Sequence, residues 1–397
     1  MRIHWQRNNF IRLFNQGISD SKITIHDKEG SFLVGNTSAL PSPEIVLRIH
    51  NSEFYSHVLS YSNLGLAEAY MRRYFTVEEG TLEMLLTILL RNKLDEKVRP
   101  DLSFVAQVLM QRVKCFLRSQ GRNVQHHYDI GHDLFESFLD QSLTYSCGYV
   151  DQPGDTSEKL QLNKFERICA KLELKEGQTL LDIGCGYGGL LIHAARNYQV
   201  TGVGITNSRL HWEGATTLIE KSGLSSRIRV DLQDFKDVSG KVDRIVSVGM
   251  LEHVPRNQYE SFFGRIKDNL LPEGKGLLHF VGANAAMNRH DAFIQKYIFP
   301  NSNQPRLSEV TRFLEKYGMP IQDAENMIRH YGFTAQNWIS RFRENIDRLK
   351  ATYDGEFLRM WEYYLCCCQA AAFHSDSALF QVLFTNDRSA VIPLRRI

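Results

Sequence analysis

The sequence predicts a doubly wound α/β domain preceded by a small α+β module. Three observations carry this. From about residue 123 onward, strand-like and helical segments alternate. One of those strands ends in an aspartate and runs into a glycine-rich turn that opens a helix. Residues 1–90 lack the alternation and mix short strands, turn residues and helices. Regular alternation marks a largely parallel sheet with helices on both faces.

The elements follow in order. Lys22–Asp27 alternates as a strand, Asp27-Lys28-Glu29-Gly30 reads as a hairpin turn, and Ser31–Val34 and Glu44–Ile49 read as further strands. Leu64–Arg73 and Leu82–Leu90 read as helices. In the second part, Thr179–Gly184, Val200–Thr206, Ile228–Asp234, Val242–Gly249 and Gly276–Val281 read as strands, with helices such as Gly189–Arg196 and Arg209–Lys221 between them. Cys366, Cys367 and Cys368 fall in an apolar helix, Trp361 to Phe373, and read as core packing, because adjacent helical residues cannot face one ligand together. The expected division is 1–90, a linker at 91–122, and 123–397.

Composition bounds the function. The 397 residues are 43% hydrophobic and 23% charged, ordinary for a globular chain, which excludes a disordered or collagen-like protein. The formal charge of +2 gives no basis for bulk electrostatic binding of nucleic acid. No run approaches the roughly 20 apolar residues of a spanning helix. The start, Met1 to Arg7, is basic but no apolar run follows, so no signal peptide is expected and the compartment is read as reducing. No two of the seven cysteines have CxxC spacing, so no structural zinc or other metal is expected.

The linker concentrates positive charge: residues 91–122 hold eight Lys/Arg against three Asp/Glu. Phe104, Val105, Val108, Leu109, Val113, Phe116 and Leu117 recur at helical spacing, opposite Gln107, Gln111, Lys114 and Arg118. This is either a helix docked on a domain with one solvated face, or a basic amphipathic element that approaches an anionic membrane.

The segment Leu180-Leu181-Asp182-Ile183-Gly184-Cys185-Gly186-Tyr187-Gly188-Gly189 is the most informative. Glycines at 184, 186 and 188 let the backbone turn sharply and let a ligand lie against it. A tight turn without a ligand and a dinucleotide site are the alternatives. In a dinucleotide site, however, the helix N-terminus holds a pyrophosphate, which the Asp182 carboxylate would repel. Asp182 suits a cationic ammonium group, such as the methionine end of S-adenosylmethionine. The next strand, Val203 to Ser208, ends without a carboxylate to hold a ribose, so Thr206 and the following helix start must serve. Gln233 and Asp234, after the third strand, are placed for an adenine contact.

Several further segments recur together. They are His127-Tyr128-Asp129-Ile130-Gly131, Tyr145-Ser146-Cys147-Gly148-Tyr149, Val248-Gly249-Met250-Leu251-Glu252-His253 and Leu277-Leu278-His279-Phe280-Val281-Gly282. Lys296-Tyr297-Ile298-Phe299-Pro300, His330-Tyr331-Gly332-Phe333-Thr334 and Phe380-Gln381-Val382-Leu383-Phe384 follow. With the glycine-rich turn, this set resembles the cyclopropane-fatty-acyl-phospholipid synthases. The resemblance runs from His127 to the C-terminus, and the N-terminal module is sized like the lipid-binding domain of the full-length bacterial enzymes.

That resemblance implies a Rossmann-like S-adenosylmethionine-dependent methyltransferase fold. It implies that Tyr145, Ser146 and Val248 join Asp182, Gly184, Gly186, Gly188, Thr206, Gln233 and Asp234 in holding the cofactor. It implies a catalytic pocket of Cys147, Glu252, His279 and Tyr331, with the Val281 backbone nearby, that holds bicarbonate as the base. The substrate would be an unsaturated acyl phospholipid reached from a membrane surface, the location the inner face of the cytoplasmic membrane, and the assembly a homodimer. Two departures stand out. Tyr187 occupies a position where the family often has Trp, and His211 one where it commonly has Gln; both are expected at the cofactor's edge. The alternatives are a fatty-acyl methyltransferase that leaves a methylene or methyl branch, a small-molecule N-methyltransferase, and a catalytically inactive lipid-binding protein.

Overall fold

The computed structural model describes residues 2–35, 45–94, 131–284 and 291–391. Most of the basic linker, including Lys114, Arg118 and Arg122, and the His127–Ile130 part of the first motif lie outside the described residues. The chain begins with α1 (Arg2–Gly17), β1 (Lys22–Asp27), β2 (Gly30–Gly35), β3 (Ile45–Ile49), α2 (Glu53–Tyr61), α3 (Asn63–Met71), β4 (Phe75–Glu79) and α4 (Leu82–Arg91). The four strands form one sheet in the order β2-β1-β3-β4, with β1 and β2 an antiparallel hairpin closed at Asp27–Gly30. Tyr55 meets Phe10 and Phe54 edge to face, and Phe54 meets Phe75 likewise, in its core. The predicted strands and helices recur here; α1, α2 and β4 are additions.

A second compact unit comprises residues 132–290, 301–342 and 376–397. It starts with α5 (His132–Phe138) and α6 (Ser157–Lys171). Then come β5 (Thr179–Ile183), α7 (Gly189–Tyr198), β6 (Thr201–Thr206), α8 (Arg209–Lys221), β7 (Ile228–Leu232), β8 (Val242–Val248), α9 (Tyr259–Asn269) and β9 (Leu270–Ala283). After α10 (Leu307–Lys316), β10 (Ile321–Asn326) and the start of α11 (Ile328–Leu349), β11 (Ser377–Thr385) completes a seven-stranded sheet. Its order is β10-β11-β9-β8-β5-β6-β7. β9, β8, β5, β6 and β7 are parallel neighbours, as predicted. β11 runs antiparallel to β9, and β10 antiparallel to β11.

The central parallel strands β5 and β8 are largely apolar because both faces are covered. Leu180, Leu181 and Ile183 of β5 and Ile245 and Val246 of β8 are all buried. β5 sits where the strand order reverses, between β8 and β6. In such a sheet the crevice beyond the carboxyl ends of the strands is where ligands bind.

The first compact unit takes in residues 1–131 and also 291–300 and 343–375. The division expected from sequence puts the last two ranges in the 123–397 segment. They hold α12 (Gly355–His374), which packs on α3 and α4. Arg343 forks onto Glu83 at 2.8 and 2.9 Å and reaches Glu362 at 2.7 Å, while Tyr70 donates to Glu362 at 2.7 Å. Of the cysteine run, Cys366 is fully buried and Cys367 and Cys368 are half-buried. Among the described residues no helix is long and apolar enough to cross a membrane.

Candidate active site

The carboxyl end of β5 delivers Asp182, then turns through Gly184, Gly186 and Gly188 at φ of 85°, 53° and 79°. At Gly184 a Cβ would meet the Met250 side chain, so the turn is also sterically closed to larger residues. A Cβ at Gly186 would meet nothing within 4 Å beyond its own chain neighbours. That leaves an open backbone cradle beside Asp182, where a ligand can approach closely. Asp182 is only 3% exposed, and its Oδ1 has no hydrogen-bond partner. Burial pushes its carboxyl up to about 7, against the opposing pull of Lys164.

The loop before α6 lies over this turn. A Cβ at Gly189 would touch Ser142 and Thr144. Asp140 shapes the loop by accepting from the backbone N–H of Ser142 at 2.9 Å and of Thr144 at 3.1 Å. Tyr145 is packed among Phe135, Phe138 and Trp338. Ser146 accepts from Lys164 Nζ at 2.7 Å, and its carbonyl accepts from Gln161 Nε2 at 2.9 Å. Ser146 also lies against Gly249, whose φ of 68° starts the turn after β8.

On the far side of that turn is Glu252, buried in a short 3-10 helix, Leu251–His253. Its Oε1 accepts from Val281 N–H at 3.2 Å, and its Oε2 has no partner. Burial pushes this carboxyl up to about 7, opposed only by its own and the Val281 backbone N–H. Asn303 holds the Glu252 carbonyl through its backbone N–H at 2.8 Å and its Nδ2 at 3.2 Å. The Val281 amide is thus committed to Glu252.

His279 and Val281 share one face of β9, two residues apart. His279 is 2% exposed and held well below the usual imidazole range by burial, then by Lys164 and Lys171, so the ring is neutral. Its Nδ1 lies 3.5 Å from Gln381 Nε2 on the adjacent β11, and its Nε2 has no partner. Val281, Tyr331 and Cys147 pack together with Met327 and Leu379 in one apolar cluster. The Cys147 thiol donates to the Gly148 carbonyl at 3.1 Å and is pushed up to about 12 by burial, so it is neutral. Thr334 Oγ1 fixes the segment by accepting from Gly148 N–H at 3.0 Å.

Cys147, Glu252, His279, Val281 and Tyr331 therefore converge from four separate stretches of chain. Val248 pairs with His279 across β8 and β9 and stands between this pocket and the glycine turn. Thr206 is buried at the end of β6, and its carbonyl accepts from Gln233 N–H at 2.9 Å. Asp234 caps the short helix that follows by accepting from Lys236 N–H at 2.9 Å. Tyr187 and His211 meet edge to face with centroids 4.9 Å apart.

Three polar residues at the site are buried, Gln161, Lys164 and Gln381, and of these only Gln381 falls in one of the recurring segments, Phe380 to Phe384. For the first two a signal existed. They lie on the stripe of α6 that also carries Leu160, Phe165 and Ile168, all buried, and a polar residue on an apolar stripe is the informative exception.

Residues 117–382 match the family described as mycolic acid cyclopropane synthetase. The chain is 36% identical over 343 residues to the cyclopropane-fatty-acyl-phospholipid synthase of Escherichia coli (strain K12), which covers 86% of this chain and 87% of that one. The cyclopropane synthase MmaA2 from Mycobacterium tuberculosis superposes with a TM-score of 0.62 at 29% identity, over 66% of this chain and 96% of that one. Mycolic acid cyclopropane synthase CmaA1, complexed with SAH and CTAB, gives a TM-score of 0.61 at 29% identity, over 66% and 97%.

Proposed function

This chain belongs to the mycolic acid cyclopropane synthetase family, whose members with solved structures share its methyltransferase fold, and we propose that it closes a cyclopropane ring on the cis double bond of an unsaturated phospholipid acyl chain. The observation that carries the reading is the apolar cluster of Cys147, Tyr331 and Val281, with Glu252 bonded to the Val281 amide and His279 two residues away on the same face of β9. The match to the E. coli enzyme covers 86% of the chain and that to the mycobacterial MmaA2 structure 66%, which favours a phospholipid over a mycolic acid substrate.

The residues fit the two small molecules this chemistry needs. S-adenosylmethionine, when bound, supplies an electrophilic methyl group, and bicarbonate supplies a base for the proton that must leave that carbon as the ring closes. The orphaned Asp182 Oδ1 and the open cradle at Gly186 suit the ammonium and backbone approach of the former. Tyr145, Ser146, Val248, Thr206, Gln233 and Asp234 complete that site. The orphaned Glu252 Oε2 and His279 Nε2 suit the latter, with Cys147, Tyr331 and the Val281 segment as walls.

Glu252 and His279 act by orienting the base. Glu252 is held through Oε1 on the Val281 amide and His279 stands on β9, so the unpartnered Oε2 and Nε2 are fixed in place to hold the base. The apolar walls exclude water, which would otherwise capture a carbocation on the acyl chain. The neutral Cys147 thiol does not compete as a nucleophile. The basic linker at 91–122 supports a peripheral, reversible grip on an anionic membrane, with the enzyme working as a homodimer at the inner face.

The test is expression in a host that lacks cyclopropane lipids, with mass spectrometry and proton NMR of its fatty acids. Ring methylene signals are expected. A methyl- or methylene-branched chain would overturn ring closure and leave methyl transfer standing. For the membrane, replacing Lys114, Arg118 and Arg122 with Gln should weaken salt-sensitive sedimentation with anionic vesicles. Unchanged sedimentation would make the segment a linker alone and put the membrane contact elsewhere.

A further inference from the structure

We propose that Lys164 and Asp182 are a matched pair of buried charges that recognises both ends of the cofactor's amino acid, Asp182 taking the ammonium and Lys164, with Ser146, the carboxylate. The inference rests on the methyltransferase reading above and assigns Lys164 a part in it.

Lys164 is 1% exposed. Its ammonium carries three N–H donors. Among the described residues, the one hydrogen bond it makes is to Ser146 Oγ, at 2.7 Å. Its charge is felt by Cys147, Asp140 and Asp182, but Asp140 is occupied by the Ser142 and Thr144 amides. Lys164 and Asp182 sense one another without forming a direct ion pair, and Asp182 Oδ1 remains without a partner.

If these two charges served only to neutralise each other, direct contact would be the favourable arrangement, because each is costly to bury alone. Held apart beside an open backbone cradle, they instead fit a ligand that carries both signs. A purely cationic ligand would leave Lys164 uncompensated, and a purely anionic one would leave Asp182. An α-amino acid carries an ammonium and a carboxylate on one carbon, which matches the pair. Ser146 adds direction. Lys164 donates to its oxygen, so the hydroxyl hydrogen is free to point elsewhere and donate to the same carboxylate.

Calorimetry on the full chain with three ligands tests this. They are S-adenosylhomocysteine, its decarboxylated analogue, which keeps the amine, and methylthioadenosine, which has neither charged group. Wild type should prefer S-adenosylhomocysteine over the decarboxylated analogue by at least about 10-fold. Lys164→Met should weaken S-adenosylhomocysteine by about 10- to 100-fold, the range for a lost hydrogen bond to a charged group. It should leave methylthioadenosine unchanged and the decarboxylated analogue no weaker. Ser146→Ala should show the same pattern with a smaller loss. Equal weakening of all three ligands, or wild-type affinity in Lys164→Met, would overturn the pairing. Should that variant not fold, the wild-type preference and Ser146→Ala decide: loss of either pattern overturns it. Failure of wild type to bind S-adenosylhomocysteine at all would instead sink the methyltransferase reading.

Discussion

Asp182, at the end of β5, and Glu252, in the turn after β8, are both buried carboxylates pushed up to about 7, each with one orphaned oxygen. They reach that state differently. Asp182 has a cation, Lys164, near it. Glu252 has no cation among its causes of shift; two backbone N–H groups oppose burial there. A carboxylate near a held-off cation is prepared for a ligand that brings its own positive charge. A carboxylate steadied by backbone amides is prepared to orient a hydrogen-bonded group and to stay near its protonation balance. One region binds and the other positions, although both look alike by burial alone.

The sharpest break between them is Glu252→Gln. It keeps the shape and the bond to Val281, and removes the charge. Turnover should fall by about 100-fold or more, the range of lost acid–base or positioning groups. S-adenosylhomocysteine affinity by calorimetry should hold. A variant that turns over at the wild-type rate would remove Glu252 from the pocket's chemistry.

Asp182→Ala should do the reverse to binding, weakening S-adenosylhomocysteine by about 10- to 100-fold. Gly186→Val should act in the same direction, because a side chain would fill the open cradle at a φ of 53°. Wild-type affinity in both would mean that the cofactor does not sit on this turn.

A pH series sharpens the comparison further. The unfolded carboxylates titrate near 4, whereas the folded ones titrate at about 7. Between those values the folded state binds more protons, so the free protein loses stability as pH rises through this window. S-adenosylhomocysteine supplies a cation for Asp182 and not for Glu252. Its affinity should therefore fall below pH 7, approaching about tenfold per unit, and the melting-temperature rise it causes should be larger at pH 8 than at pH 6. Lys164, pushed down to about 8 by burial, stays largely protonated over most of that range. Asp182→Ala should flatten the dependence and Glu252→Gln should leave it in place. A dependence that survives Asp182→Ala belongs to another group.

How much of this was legible in the sequence follows from where each signal resides. β5 and β8 could be read because strands covered on both faces are largely apolar runs, and the glycine turn because its backbone needs glycine. α1 has a signal too, Phe10, Leu13 and Phe14 at helical spacing, but the run is short and its basic start bears only on export. The grouping of 343–375 with the N-terminal unit was not, because Arg343 and Glu83 are 260 residues apart and nothing local announces their ion pair. Cys147, Glu252, His279 and Tyr331 were found by resemblance. One at a time, each could equally be a satisfied core residue. Lys164 has a signal, a polar residue on the apolar stripe of α6, but no spacing to tie it to a ligand, and Gln381 stands in a quoted segment without a role of its own.

The smallest expected effect belongs to Cys147→Ser, which separates a wall from a nucleophile. The thiol is buried and neutral, and donates to the Gly148 carbonyl. A serine hydroxyl can make the same bond, so the polar contact survives. What changes is fit: the shorter C–O bond leaves a small gap against Met327 and Leu379, and the hydroxyl is more polar than the thiol. Turnover should fall by less than about tenfold, with stability lower by about 1 kcal/mol and S-adenosylhomocysteine affinity unchanged. If Cys147 instead attacked the substrate as a thiolate, serine could not replace it, and turnover would collapse by orders of magnitude. Steady-state rates at saturating cofactor, measured beside a urea melt, distinguish the two, and a collapse without loss of stability would make Cys147 a reacting group.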